Sequence, residues 1–122
     1  MSKILLALIF SAALAFAADA TGKWSGSFVT TRDGETKDST AFLNLKQEGT
    51  KITGVAGPDS TRNYPITTGT IEGNKIKLVV EQSDGPTMHF DLTINGDQIT
   101  GEAKAEKEGQ TMTAKLDVKR EK

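Results

Sequence analysis

Polar and apolar residues alternate with a period of two along most of the chain. In the stretch MHFDLTI, the residues Met88, Phe90, Leu92 and Ile94 share one parity, and the residues between them are polar. This alternation is typical of strands that bury one face. No helical period of 3.6 is found in residues 18–122, so we expect no helix there.

Three short segments repeat the same turn pattern: QEGTKITG, IEGNKIKL and INGDQITG. Each contains a glycine (Gly49, Gly73 or Gly96) that is followed by one polar residue and a new alternating segment. Such glycines favour two-residue hairpin loops, which need positive φ. With these loops, the apolar residues on both sides of each turn fall on one face, so the sequence predicts three hairpins.

The alternation predicts eight strands, at residues 22–31, 39–47, 51–57, 64–72, 75–82, 87–95, 98–106 and 111–120. Because every link is short, consecutive strands should be antiparallel neighbours. Eight such strands could form a flat meander, a sandwich or a closed barrel, and closure removes the exposed edges. We therefore expect an all-β fold, an eight-stranded antiparallel up-and-down meander β-barrel.

The first 20 residues differ in composition from the rest. Lys3, an apolar run and Ala15-Phe16-Ala17 form the three regions of a cleavable secretion signal. A second A-x-A sequence, Ala18-Asp19-Ala20, means that cleavage could follow either Ala17 or Ala20. The apolar run is shorter than the roughly 20 residues that span a bilayer. We therefore expect a signal peptide at 1–17, one barrel domain at 18–122, and a periplasmic or secreted protein without a membrane segment after cleavage.

Charge and cysteine content narrow the classes of partner and site. The chain has 15 Lys and Arg, 16 Asp and Glu, and a net charge of −1, which does not favour nucleic acid or an anionic membrane. It has no cysteine, so the stability of an exported barrel must come from its core. One histidine and no cysteine cannot supply the three or four N/S ligands of a zinc site. We predict neither a metal nor a cofactor.

The chain offers few candidate catalytic residues. His89 is the single histidine, and the alternation puts it on the outer face. A Ser-His-Asp triad needs a histidine beside a serine in a shielded pocket, so we do not expect an enzyme. The acidic segment RDGETKD, residues 32–38, lacks the spacing and the bidentate Glu of an EF-hand loop. A solvated hairpin loop is favoured there over a calcium site.

The segment TGKWSGSF, residues 21–28, contains the single tryptophan. In a closed meander the first strand pairs with the last. Trp24 and Arg120 should therefore meet inside the barrel, with the guanidinium over the indole. The three glycine turns lie at the same end. We predict that Trp24 and Arg120 plug this end, which is termed the closed end below.

Gly22-Lys23-Trp24 resembles the G-x-W sequence of the calycin superfamily, which includes the lipocalin, fatty-acid-binding and avidin barrels. In those families a basic residue on or beside the last strand packs over that tryptophan, and Arg120 fits this role. The resemblance implies a lipocalin-like or avidin-like barrel over the mature chain. The chain is shorter than a typical lipocalin, and its one tryptophan does not match the several of biotin-binding avidins. It is also similar to small secreted bacterial proteins of unassigned function.

An eight-stranded barrel can be filled by side chains or can hold one small ligand, and the sequence leaves both open. The longer polar links, at 32–38, 57–63, 82–86 and 107–110, predict that any entrance lies opposite the tight turns. Inward positions near these links include small and flexible side chains, which would leave room for an apolar molecule. The predicted ligand-binding residues are Phe28, Thr30, Ala41, Ala56, Tyr64, Val80, Met88, Ala105 and Met112.

A second hypothesis is a non-enzymatic interaction module that acts through the outside of the barrel. Most outward residues are Lys, Thr, Glu or Asp, but five apolar ones on consecutive strands should form a row. Such a patch marks interaction sites and predicts weak homodimerisation or docking of an exported partner. Propensity alone also puts β-branched residues on exposed strands. The row comprises Val29, Phe42, Val55, Ile66 and Val79.

Overall fold

The computed structural model describes residues 19–32, 34–82, 85–107 and 109–121. The predicted leader, residues 1–17, lies outside the described residues. Within the described ranges, no helix has the length and apolarity needed to cross a membrane. The strands are β1 (Gly22–Arg32), β2 (Glu35–Glu48), β3 (Lys51–Gly57), β4 (Tyr64–Glu72), β5 (Lys75–Glu81), β6 (Thr87–Asn95), β7 (Gln98–Lys107) and β8 (Gln110–Arg120).

The eight strands form a closed antiparallel barrel. Each strand pairs with the next one along the chain, and β1 also pairs with β8, with Phe28 opposite Leu116. The up-and-down barrel expected from the alternation is confirmed. The observed strand bounds lie within one residue of the expected ones except in β2, which begins at Glu35 and not at residue 39.

The three predicted hairpin turns are present at the closed end. Gly49, Gly73 and Gly96 have φ of 63°, 59° and 60°, in the left-handed region that glycine adopts without strain. In the strands that flank the second and third turns, Ile71 pairs with Ile76 and Ile94 pairs with Ile99. The predicted register is therefore confirmed, and the alternation places one face of every strand in the core.

Strand β4 contains a bulge that shifts its alternation. Ile66 pairs with Val80, but Thr68 pairs with Val79, so Thr67 is an extra residue in β4. An extra residue reverses the side-chain direction on one side of a bulge. Ile66 consequently packs against the core. The expectation that Ile66 points outward is wrong, because the sequence pattern does not reveal the bulge.

The tryptophan is fully buried at the closed end. Trp24 has 0% exposure and lies directly opposite Arg120 in the β1–β8 pairing. The Arg120 guanidinium carbon lies 4.3 Å from the centre of the indole ring, which is cation–π geometry. Gly26 lies two residues after Trp24, and a Cβ there would clash with the Asp117 carbonyl oxygen of β8. The predicted contact between Trp24 and Arg120 is confirmed.

The residues just before β1 cover the closed end. Ala20 has 0% exposure, and its carbonyl oxygen accepts a hydrogen bond from Trp24 Nε1 at 3.0 Å. Arg120 donates to the carbonyl oxygens of Thr21, at 2.6 Å, and Asp19, at 2.9 Å. The Gln47 side chain accepts from Ala20 N at 2.9 Å. Residues 19–21, which we term the N-terminal strap, are therefore held by hydrogen bonds to side chains of β1, β2 and β8.

The first prediction concerns the contact between Trp24 and Arg120. Trp24→Ala should lower the free energy of unfolding by about 3–5 kcal/mol, as for other buried aromatic residues. Arg120→Ala should lower it by less. The losses should not add in the double variant, because the two side chains share one contact. Urea unfolding followed by circular dichroism measures all four proteins, and additive losses would contradict the pairing.

The second prediction concerns the N-terminal strap. A chain that begins at Thr21 lacks the Ala20 carbonyl, so Trp24 Nε1 loses its buried acceptor. An unpaired buried donor costs about 1–3 kcal/mol, and the urea midpoint should fall accordingly. Trp24 fluorescence reports both the unfolding and the solvation of the indole. A chain that begins at Asp19 keeps both carbonyls and is the control; equal midpoints for the two chains would refute the role of the strap.

Candidate functional site

A cavity of about 730 Å³ occupies the end of the barrel opposite Trp24, which we term the open end. Its floor is formed by inward residues from the middle of the strands. Phe28 and Phe90 lie there with their ring centres 6.4 Å apart and their planes tilted by 40°. Leu43 and Leu116 line the cavity beside them. The floor is therefore apolar, and the barrel interior is filled only at the closed end.

Eight of the nine predicted ligand-binding residues line this cavity. Ala105 is the exception, since it is buried at 3% exposure but does not reach the cavity wall. Tyr64 lies at the rim with 37% exposure, opposite Ala56 in the β3–β4 pairing. The eight residues are Phe28, Thr30, Ala41, Ala56, Tyr64, Val80, Met88 and Met112.

Sequence reasoning missed a charged part of the cavity wall. Arg32, Glu35 and Lys37 line the cavity, together with Ser39. All four occupy positions that continue the inward-facing alternation of β1 and β2. Extending that alternation as far as the dipeptide Asp33-Gly34 would therefore have predicted that they face inward. The charges of Arg32, Glu35 and Lys37 hide this continuation, because charged residues are more typical of a loop than of the inward face of a strand.

Two of the four predicted entrance loops are tight turns. β1 and β2 continue to Arg32 and Glu35, and Gly34 in the turn has a φ of 81°. β7 and β8 likewise continue to Lys107 and Gln110. The expected long link at 32–38 is therefore wrong, because β1 and β2 extend beyond their apolar residues, and the expected link at 107–110 is shorter by one residue at each end. The links at 57–63 and 82–86 do lie between strands.

The cavity wall beside β2 is only partly built by strand pairing. β3 ends at Gly57, which pairs with Phe42, so the residues of β2 before Phe42 have no partner in β3. The segment after β3 lies across this gap, where Thr40 Oγ1 donates to the Pro58 carbonyl oxygen at 2.7 Å. Phe42 and Pro58 both line the cavity. The segment after β3 therefore completes the cavity wall where strand pairing ends.

The predicted outer row of apolar residues does not form one exposed patch. Phe42 has 8% exposure, because the segment anchored at Pro58 lies beside it. Ile66 packs inward after the bulge. Val29, Val55 and Val79 remain on the outer face and are half-buried, on strands that are not adjacent. Two of the five members are thus unavailable to a partner.

The loop between β3 and β4 is shaped by one carboxylate. Asp59 Oδ1 accepts hydrogen bonds from Thr61 Oγ1 at 2.7 Å, Arg62 N at 2.8 Å and Thr61 N at 2.9 Å. Arg62 Nη2 lies 3.2 Å from Asp59 Oδ2. The Thr61 hydroxyl, followed by the backbone N–H groups, holds the pKa of Asp59 well below its ordinary value. The loop at the cavity rim is therefore an ordered turn.

The remaining candidate chemistry lies on the outside. His89 is exposed and pairs with Val79 on the outer face, where the alternation predicts it. Among the described residues, no group of three or more His, Asp or Glu side chains could hold a metal ion. The cavity at the open end is a concave site with the size and lining to take a ligand.

The architecture is that of a closed eight-stranded antiparallel barrel with one end plugged and an apolar cavity at the other. No family model, no curated protein and no solved structure matches this chain.

The third prediction concerns the Asp59 turn. Because the folded-state pKa of Asp59 lies below its ordinary value of 3.8, its carboxylate stabilises the fold above that pH. This stability is lost as the pH falls below 3.8 toward the lowered pKa. Urea midpoints at pH about 5 and about 2 should therefore differ less in Asp59→Asn than in the unchanged protein. The same difference in both proteins would contradict a stabilising role of the carboxylate.

Proposed function

We propose that the protein is an exported binding protein that takes one small, largely apolar molecule into the open end of its barrel. The observation that carries the proposal is the cavity of about 730 Å³. Ligand pockets have volumes of roughly 300–1,000 Å³. Protein interiors otherwise pack densely and contain few voids larger than a water molecule. An interior space of this size in a small barrel therefore supports a binding role.

The lining of the cavity supports an apolar ligand. Phe28 and Phe90 offer two aromatic rings on the floor, and Val80 and Leu116 add aliphatic surface. Met88 has flexible bonds and a polarisable sulfur that adapts to irregular shapes. Gln82 Nε2 lies 3.6 Å from Met88 Sδ and places a polar amide near the rim. Such a lining suits an apolar body that has a polar group at its outer end.

We also propose that the chain is calycin-like. Gly22-Lys23-Trp24 opens β1, and Arg120 at the end of β8 lies over the indole at 4.3 Å. The closed eight-stranded antiparallel meander is consistent with that group. The likeness extends to the barrel and to this contact.

Export and the absence of catalysis belong to the same proposal. The leader that the sequence predicts at 1–17 supports a periplasmic or secreted location. The carboxylate among the described lining residues is that of Glu35, which is exposed at the rim. An exposed carboxylate without a histidine beside it favours binding over acid–base chemistry.

The alternative of an interaction module that acts through the outer surface has less support. It depended on five aligned apolar residues, of which Phe42 is buried and Ile66 points inward. Among the described residues, the large apolar side chain that is exposed is Tyr64, at the rim of the cavity. Exposed apolar area therefore favours the open end as the functional surface.

The fourth prediction tests binding in the lumen with the neutral fluorophore N-phenyl-1-naphthylamine. Ala56 is 4% exposed and lines the cavity, so the larger side chain of Ala56→Phe should occupy the ligand's space. We expect at least tenfold weaker binding, measured by fluorescence titration. Thr113→Phe adds the same ring at an exposed position of β8 and should leave the affinity unchanged. Equal affinities for the three proteins would exclude the lumen as the binding site.

A further inference from the structure

The first half of β2 lies at an edge of the sheet. It pairs with β1 from Glu35 onward, but its pairing with β3 begins only at Phe42. Every residue from Glu35 to Thr40 is exposed. Among the described residues, the backbone hydrogen bonds outside the strand pairs involve none of residues 35–39. A strand directs its N–H and C=O groups alternately to its two sides, so this edge presents backbone groups that another strand can bind.

Both ends of this edge are defined by neighbouring structure. At one end, Thr40 Oγ1 donates a hydrogen bond to the Pro58 carbonyl oxygen, so the segment after β3 lies beside Thr40. At the other end, Gly34 lies in the turn to β1 with a φ of 81°. The exposed edge therefore comprises residues 35–39, which we term the β2 edge.

The β2 edge carries charges of both signs. Glu35 and Lys37 lie on either side of Thr36, and Asp38 follows. The ion pairs between described residues lie elsewhere, beyond residue 45 of β2, in the loop before β4 and at the closed end. Charges on an edge strand usually oppose its pairing with another chain. Mixed charges, however, oppose only the registers that bring like charges together.

Charge selects one register for two copies of the β2 edge. Two copies related by a two-fold axis pair antiparallel, and the residue on the axis faces itself. An axis at Glu35, Lys37 or Asp38 would set two like charges directly opposite each other. An axis at Thr36 instead sets Glu35 of each copy opposite Lys37 of the other. Only this last register combines two opposite-charge pairs with no like-charge pair.

We propose that two copies of this chain associate edge to edge through the β2 edge, with Thr36 on the two-fold axis. Backbone hydrogen bonds would continue the sheet of one barrel into the other, as in other cases of strand addition. The two pairs of Glu35 with Lys37 fix the register. A second copy fits better than an apolar strand, which would leave both charges unpaired. Because few residues take part, the dimer is weak and forms at high concentration.

The proposal goes beyond the ligand-binding role and does not depend on it. Sedimentation equilibrium at low salt, at protein concentrations from about 0.01 to about 1 mM, should show an average mass that rises from monomer toward dimer. Glu35→Lys sets cations opposite each other in both pairs and should weaken the dimer about tenfold. Adding Lys37→Glu to that variant restores opposite charges with their signs exchanged, and the dimer should return. Salt should weaken the dimer of the unchanged protein.

Glu81→Lys is the matched control, because it makes the same change of charge at an exposed position of β5. It should dimerise as the unchanged protein does. A monomer at all concentrations would overturn the proposal. Equal dimerisation of Glu35→Lys and Glu81→Lys, or no recovery in the variant with both exchanges, would overturn it too.

The register has a separate test, because the chain contains no cysteine. Thr36→Cys introduces one thiol, which should lie beside the same thiol of the second copy, within the reach of a disulfide. Air oxidation should therefore convert this variant into a covalent dimer. Thr113→Cys places a thiol at an exposed position of β8 and should stay largely monomeric. Equal cross-linking of the two variants, or none in either, would overturn the pairing at Thr36.

Discussion

The closed end of the barrel depends on the contact between Trp24, Arg120 and the N-terminal strap. A meander of eight strands becomes a barrel only where β1 pairs with β8, and Trp24 lies opposite Arg120 in that pairing. Arg120 donates to two strap carbonyls, and Ala20 accepts from the indole. Among the described residues, no buried side-chain polar atom lacks a hydrogen-bond partner. One contact therefore joins the first strand, the last strand and the strap.

The packing of the closed end explains how the open end can remain unfilled. The fully buried large side chains, such as Trp24, Ile76 and Ile99, lie toward the tight turns. Toward the open end the inward positions include the small residues Ala41 and Ala56. Burial of apolar area is the main source of stability in a domain without disulfides. The closed end is therefore closely packed, whereas small side chains leave space at the open end.

The sequence predicted most of the fold because strand alternation is a local signal with a fixed period. It predicted eight of the residues that line the cavity for the same reason. It missed Lys37 and Glu35, because charged residues can continue a strand wherever its inward face meets water. It misplaced Ile66, since one extra residue in β4 reverses side-chain direction without changing the apolar pattern. The volume of the cavity depends on how all the inward side chains pack together, and no local sequence pattern reports that packing.

The two ends of β2 show how one strand serves both packing and recognition. Its second half pairs with β3 from Phe42 onward and buries Leu43 and Leu45 in the core. Its first half pairs with β1 but not with β3. The side chains of Lys37 and Ser39 therefore line the cavity where it meets solvent. A charged side chain is strongly disfavoured in a dry core but keeps most of its hydration at such a rim. The same alternation thus gives an apolar floor where β2 has two neighbours and a polar wall where it has one.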